Sequence, residues 1–262
     1  MGFFRKYILS LILYLLYPLF KPFIPNVKIL NSTDSIKAVY TKNLSVIRFG
    51  DGEFNIMRGI AGPAFQAFSI ELQRDLLSTF CFRSDKLLIC IPETFSKKSS
   101  LMHNLTFNNK KFWKGYITKN IFFLRSILKT NYTYGDSLLT RPYISMRDRS
   151  RCLETFSLMK SIWDNKRIVI IEGNKTKFGV GNDLLDNTQE IKRIIAPSVN
   201  AYSKKNQILS FAKKNTKILY FYYCTWAISK TNSIKFIFIR LSCFRLRPLR
   251  YRVRMVNSQC IK

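Results

Sequence analysis

"SVIRFGDGEF" (residues 45–54) decides how this chain is read. Its opening, 45–49, alternates as a buried strand does, then runs into the acidic glycine turn "GDGE" and on into an apolar helical stretch. A strand that feeds a loop and then a helix is the repeating unit of parallel α/β sheets.

The same grammar recurs outward from it. "KLLICIP" (86–92) is a continuous apolar run closed by proline, as in a strand buried on both faces. "KRIVIIEG" (166–173), "IKRIIAP" (191–197) and "NTKILYF" (215–221) predict further strands. "SIELQRDLLSTF" (69–80) has helical apolar spacing, with Ser69 as its cap and Glu71 in the first turn. Residues 108–129 and 147–163 also read as helices. No internal repeat or low-complexity linker interrupts the pattern. The expectation is an α/β fold with Rossmann-like connections and a single domain, in which ligands sit beyond the carboxyl ends of the strands.

Two loops fall at such ends. In the first, Asp51 and Glu53 flank a glycine, with Gly50 and Gly52 permitting tight turns. Two carboxylates at this spacing can present oxygens to a hard divalent cation that keeps positions open for phosphate. Arg48 adds positive charge beside them. The same spacing also suits a solvated acidic turn. The second loop, "EGNKTKFGVGNDLLDN" (172–187), follows a strand directly. Gly179 and Gly181 let backbone N–H groups approach an anion, and Lys175 and Lys177 supply charge. Asn182 and Asp183 are placed to cap a helix begun by "DLLDN", whose positive end would face the ligand. A glycine-rich turn with a plain helix cap is the other reading.

Taken together, "RFGDGE", "FQAFSIELQRDLL" (65–77), "TRPY" (140–143), "IVIIEGNKTKFGVGNDLLDN" and "IKRIIAPSVNAY" (191–202) resemble, in content and order, the GT-D-type glycosyltransferases. These are bacterial enzymes of capsule, lipopolysaccharide and adhesin glycosylation. The resemblance covers roughly residues 33–220. It implies a Rossmann-like GT-D fold, a nucleotide-sugar donor such as a UDP-sugar, and a divalent metal, Mn2+ or Mg2+, at Asp51 and Glu53. It implies that the stretch from Glu172 through Lys175, Lys177, Gly179, Gly181, Asn182 and Asp183 holds the diphosphate, with Arg48, Gly50 and Gly52 on the same donor. Arg141 and Tyr143 are expected on the sugar or acceptor side, and the acceptor is expected to be a glycan, glycolipid or glycoprotein. Lys177 stands where the family pattern has an arginine, so charge is kept but fork-shaped phosphate recognition is not.

The chain ends differently. Residues 240–255, "RLSCFRLRPLRYRVRM", hold six arginines and no acid. The family pattern instead continues with a strand, an "LGP" turn, and a segment rich in His and acids. With suitably chosen synonymous codons, back-translating 240–256 and dropping one base can give "GYHAFDLGHLDIEYEW", and the same shift lets "YCTWA" (223–227) encode "IALGP"; Met255 followed by Val256 gives tryptophan whatever codons are used. Residues 223–262 are therefore expected to be out-of-frame translation, entered near "LYFYY" (219–223). The segment that would carry the catalytic base is missing, so the chain as printed is expected to be impaired. His103, the chain's one histidine, is expected to be exposed and no substitute.

The formal charge of +29 permits a second reading, a non-enzymatic basic protein for RNA or membrane. No basic stripe follows a nucleic-acid reading module, which makes nucleic acid an unlikely partner. The six cysteines contain no CxxC pair and read as buried free thiols in a reducing compartment. Residues 1–25 carry an apolar run, Tyr7–Phe20, that is short for a membrane span. Basic residues flank it on both sides, so an interfacial anchor helix at the inner face of the cell membrane or a short signal-anchor is expected, with a helix buried on the domain as the alternative. The predicted plan is thus a hydrophobic segment (1–25), a catalytic domain (33–222) and an aberrant basic tail (223–262).

Overall fold

A computed structural model describes residues 2–144, 146–174, 176–214, 220–223 and 236–237. The strands are β1 (Lys28–Ile29), β2 (Ser45–Arg48), β3 (Leu87–Ile91), β4 (Thr133–Asp136), β5 (Arg167–Gly173), β6 (Glu190–Ala196), β7 (Tyr220–Tyr223) and β8 (Phe236–Ile237). They form one sheet in the order β1-β4-β3-β2-β8-β7-β5-β6. Every strand pairing is parallel. The helices are α1 (Gly2–Phe20), α2 (Ser32–Lys42), α3 (Asp51–Met57), α4 (Ile70–Cys81), α5 (Leu101–Asn104), α6 (Phe107–Ile127), α7 (Cys152–Trp163) and α8 (Lys205–Lys214).

The period of two in the strands sorts the helices into two layers. Ile47, Leu87, Ile89 and Ile91 face one way and pack with α3, α4 and α6. Val46, Leu88 and Cys90 face the other way, with Ile168 and Ile170 of β5, and pack with Ile36 and Val39 of α2 and with Met159, Ile162 and Trp163 of α7. β5 is buried from Ile168 to Gly173, as the unbroken apolar run required.

Local signals fix the boundaries. Ser69 Oγ accepts from Leu72 N at 3.1 Å and starts α4. Asn31 caps α2 by accepting from Asp34 N at 2.8 Å, and Asn43 closes that helix in the left-handed region (φ 50°). α7 begins at Cys152, later than the predicted 147. Asp148 instead binds Ser150, and Asn104 accepts from Asp148 N, which ties 147–150 into a turn. Cys90 and Cys152 are buried free thiols, whereas Cys81 is exposed at the end of α4, contrary to expectation. The other three cysteines lie outside the described residues.

α1 lies against α6. Gly115 admits it closely: a Cβ there would stand 3.7 Å from Leu13 Cβ and from the Ser10 carbonyl. Lys111 Nζ sits over the Tyr7 ring at 4.1 Å, and Lys114 Nζ lies 5.2 and 5.1 Å from the rings of Tyr14 and Tyr17. Among the described residues no helix is long and apolar enough to cross a membrane.

The predicted strand at 215–221 is found as β7, with 215–219 outside the described residues. The tail expected to be out of frame (223–262) also lies outside them, apart from Tyr223 and β8. β8 inserts between β2 and β7, pairing Ile237 with Val46 and with Tyr222.

Candidate active site

β2 delivers Arg48 to the carboxyl edge of the sheet, and Phe49 locks the loop that follows. The Phe49 ring meets Phe80 edge-on at 5.0 Å and Phe54 at 6.4 Å, all three buried. Gly50 is the N-cap of α3. Glu53, three residues on, folds back and accepts a hydrogen bond from Gly50 N at 2.7 Å. This is the carboxylate half of a capping box, and it leaves Glu53 only 2% exposed. Asp51, at the first helical position, is half-buried, and no hydrogen bond or ion pair to another described residue involves its carboxylate. Its carbonyl accepts from the Tyr116 hydroxyl at 3.1 Å. Burial, reinforced by the Asp51 charge, pushes the Tyr116 phenol well up. The tight turns expected of Gly50 and Gly52 do not form. Gly50 is extended (φ −107°) and Gly52 is already helical, because the helix itself turns the chain.

Arg48 is buried, and its Nη1 donates to Thr140 Oγ1 at 2.6 Å. That bond joins "RFGDGE" to "TRPY". Arg141 and Tyr143 follow at once, both half-buried, with the Tyr143 ring 6.1 Å from Phe156 of α7. Below them lies Asp136, the fully buried last residue of β4. Its carboxylate accepts from Ser32 Oγ and from Leu138 N. Burial, and then the nearby Glu93, pushes its carboxyl up to about 6. Asp136, Glu93 and Thr140 were missed in the sequence. The signal that finds them is position, since Asp136 ends β4 and Glu93 follows β3 by two residues, both at the ligand edge.

The second loop leaves β5 on the same edge. Glu172, predicted on the donor, is buried and pairs with Arg193 of β6. Its other oxygen accepts from Phe178 N at 2.7 Å, while Arg193 Nη2 donates to Phe178 O at 2.7 Å. Glu172 thus anchors the loop from beneath. Lys177, Gly179 and Gly181 all have positive φ, at 46°, 69° and 80°. A Cβ on Gly179 would stand 2.4 Å from Leu185 Cδ1, so the loop curls tightly over that side chain. Lys177 is exposed. Lys175 lies outside the described residues. Asn182 caps as expected, accepting from Leu184 N at 3.0 Å. The helix it was to begin is absent: Asp183–Leu185 is one 3-10 turn, after which the chain enters β6. A three-residue turn sums too few peptide dipoles to aim at a ligand. Asp183 instead meets Lys160 at 3.3 Å.

β8 and β7 separate β2 from β5, so the two loops stand about 14 Å apart along the edge, three strand spacings. Among the described residues no group of three or more His, Cys, Asp or Glu could cage a metal ion. One open carboxylate, Asp51, does fit a hard cation that takes its remaining oxygens from phosphate and water. Glu53 fits less directly, being held by the backbone it caps. His103 is exposed on α5, as expected.

The model of the glycosyltransferase GT-D fold matches residues 46–222. A probable glycosyl transferase, Gly, of Streptococcus gordonii is 33% identical over 183 residues, 70% of this chain and 26% of its own length. Glycosyltransferase GlyD of Streptococcus pneumoniae serotype 4 is 34% identical over 178 residues, 67% of this chain and 21% of its own length. The chain therefore spans about a quarter of the length of these curated relatives. Among solved structures, a domain of unknown function 1792 described as having a distinct glycosyltransferase fold superposes with a TM-score of 0.72 at 32% identity, covering 78% of this chain and 71% of that one. A DUF1792 glycosyltransferase from Streptococcus sanguinis gives 0.70 at 30% identity, covering 75% and 72%. These likenesses do not favour a non-enzymatic basic protein.

Proposed function

The chain belongs to the family of glycosyltransferases with the GT-D fold, and on that premise we propose that it is built to transfer a hexose from a nucleotide sugar, a UDP-sugar, to a glycan, glycolipid or glycoprotein acceptor of the bacterial surface. The observation that carries the proposal is the pairing of two loops on one carboxyl edge. One holds the open Asp51 carboxylate beside buried Arg48, and the other holds exposed Lys177 in a left-handed turn.

In this reading Asp51 would hold a divalent cation, Mn2+ or Mg2+, which would supply positive charge to a nucleoside diphosphate leaving group. Glu53 keeps Asp51 in place by fixing the first turn of α3. Lys177, and Lys175 of the same loop, bind the diphosphate from the β5 end of the edge, and the Glu172–Arg193 pair anchors that loop. Arg141 and Tyr143 line the sugar or acceptor side, positioned through the Arg48–Thr140 bond. The base that takes the acceptor proton belongs to the segment that a restored reading frame supplies after residue 222. The reaction takes place at the cytoplasmic face of the cell membrane.

The test is UDP release from a panel of UDP-hexoses by a frame-restored chain, with Mn2+ or with chelator, alongside donor binding by the chain as printed. Metal-dependent binding by both and release by the restored chain alone are expected. Failure of either chain to bind any UDP-sugar overturns the reading.

A further inference from the structure

α1 uses one side for α6 and leaves the other bare. Tyr7, Ser10, Tyr14 and Tyr17 mark the inner side. Ile8, Ile12, Leu15 and Leu19 recur at helical spacing on the outer side and are 41%, 47%, 63% and 69% exposed. Phe23 extends the stripe beyond the helix, and the Arg125 side chain of α6 reaches it, donating to the Phe23 carbonyl at 3.2 Å. One turn before Arg125, Phe122 is 74% exposed. An apolar surface of this extent needs a partner.

Charge says which. Residues 1–33 contain no Asp or Glu, and neither does α6. Arg5, Lys21, Lys119 and Arg125 stand exposed around the stripe. A second copy of the chain docked here would set these cations against their own kind. An anionic bilayer would attract them while its acyl region takes the leucines and isoleucines. We propose that the outer face of α1, with Phe23 and Phe122, docks flat on an anionic membrane surface. The helix lies in the plane of the headgroups and is held to the domain through α6. About 28 Å of helix then rests on the lipid without entering it end-on.

The test needs neither donor nor acceptor, so its outcome is independent of the transfer reaction. The full chain is sedimented with phosphatidylcholine vesicles with and without about one third phosphatidylglycerol. Binding to the anionic vesicles is expected, at least roughly tenfold stronger than to neutral ones and weakened by about 0.5 M salt. Ile12→Glu with Leu15→Glu changes only exposed positions. It is expected to lose at least about tenfold in vesicle affinity with an unchanged melting curve. Lys21→Glu with Lys119→Glu is expected to erase the preference for anionic lipid while preserving residual neutral binding. Wild-type binding that ignores phosphatidylglycerol overturns the proposal, as does undiminished binding by the Ile12→Glu, Leu15→Glu chain. A vesicle-free dimer that those glutamates dissolve, with lipid binding intact, assigns the face to a second copy and overturns it equally.

Discussion

The Glu53 carboxylate and the Gly50 backbone N–H are 2.7 Å apart, and that bond gives the two acids of "GDGE" different work. Glu53 closes the first turn of α3 from a buried position, whereas Asp51 is half-buried and its carboxylate bonds no other described residue. Asp51→Ala is expected to abolish metal-dependent UDP-sugar binding and to shift the melting temperature little. Glu53→Ala should cost about 1–3 kcal/mol of stability, because Gly50 N loses its buried acceptor. Isothermal titration and thermal melts of the two variants check this. Equal losses of stability would remove the division of labour.

Asp136 sets a pH dependence. Its carboxyl is raised from 3.8 to about 6, so the fold prefers the protonated form. For an acid raised in this way, the stabilising contribution is complete below 3.8 and is lost as pH rises through about 6. At pH 7 the native state therefore carries a buried carboxylate at a cost. Asp136→Asn, which keeps an acceptor for Leu138 N, should stabilise the protein at neutral pH by up to roughly 3 kcal/mol. The gain should shrink toward zero below about pH 4.5. Denaturant melts at the two pH values decide it, and an equal difference at both would show that the ionisation does not matter.

The second loop pays for its shape at Lys177, which holds φ 46° without being glycine. Lys177→Gly should raise stability by about 0.5–1 kcal/mol and weaken UDP-sugar binding severalfold through the lost charge. Gly179→Ala should do the reverse to the fold, losing about 1–3 kcal/mol, since its φ is 69° and its new Cβ would run into Leu185. Melting curves with dissociation constants for both variants test the pair. A destabilised Lys177→Gly would mean that the left-handed turn carries no strain.

The reading frame can be checked at its source. Genomic DNA across codons 215–225 is expected to carry one extra base near the Phe/Tyr-rich "LYFYY". Removing it should extend the chain through "IALGP" to "GYHAFDLGHLDIEYEW", with gains in solubility and turnover. Uninterrupted DNA in the printed frame, from a protein that releases UDP as printed, would retire the idea.

The strands that place the site were legible because they carry strong periodic signals. Ile89 and Ile170 lie in continuous apolar runs that suit a doubly covered parallel sheet, and Val46 lies in an alternating strand that leads straight into "GDGE". β1 and β4 were not read, since "KI" is two residues long and "TYGD" has no apolar run; their partners define them. The role of Glu53 was hidden because a capping carboxylate and a metal ligand look the same in "DGE", and only the chain's path into α3 tells them apart. Glu172 was hidden similarly, because Arg193, its partner, arrives 21 residues later from β6. "DLLDN" misled because a good cap was followed by too little chain before the next strand. Asn182 caps a turn as readily as a helix.

The seam between α1 and α6 is closed by lysines on tyrosine faces and by the Gly115 contact, and neither helix contains an Asp, Glu or His. Burial pushes the Tyr17 phenol up from its ordinary value. The joint contains no carboxyl or imidazole group that mild acid could protonate. Acidification that neutralises the Asp136 carboxylate meets no matching acid at this seam, so α1 is expected to stay seated while the sheet beneath loses its buried charge.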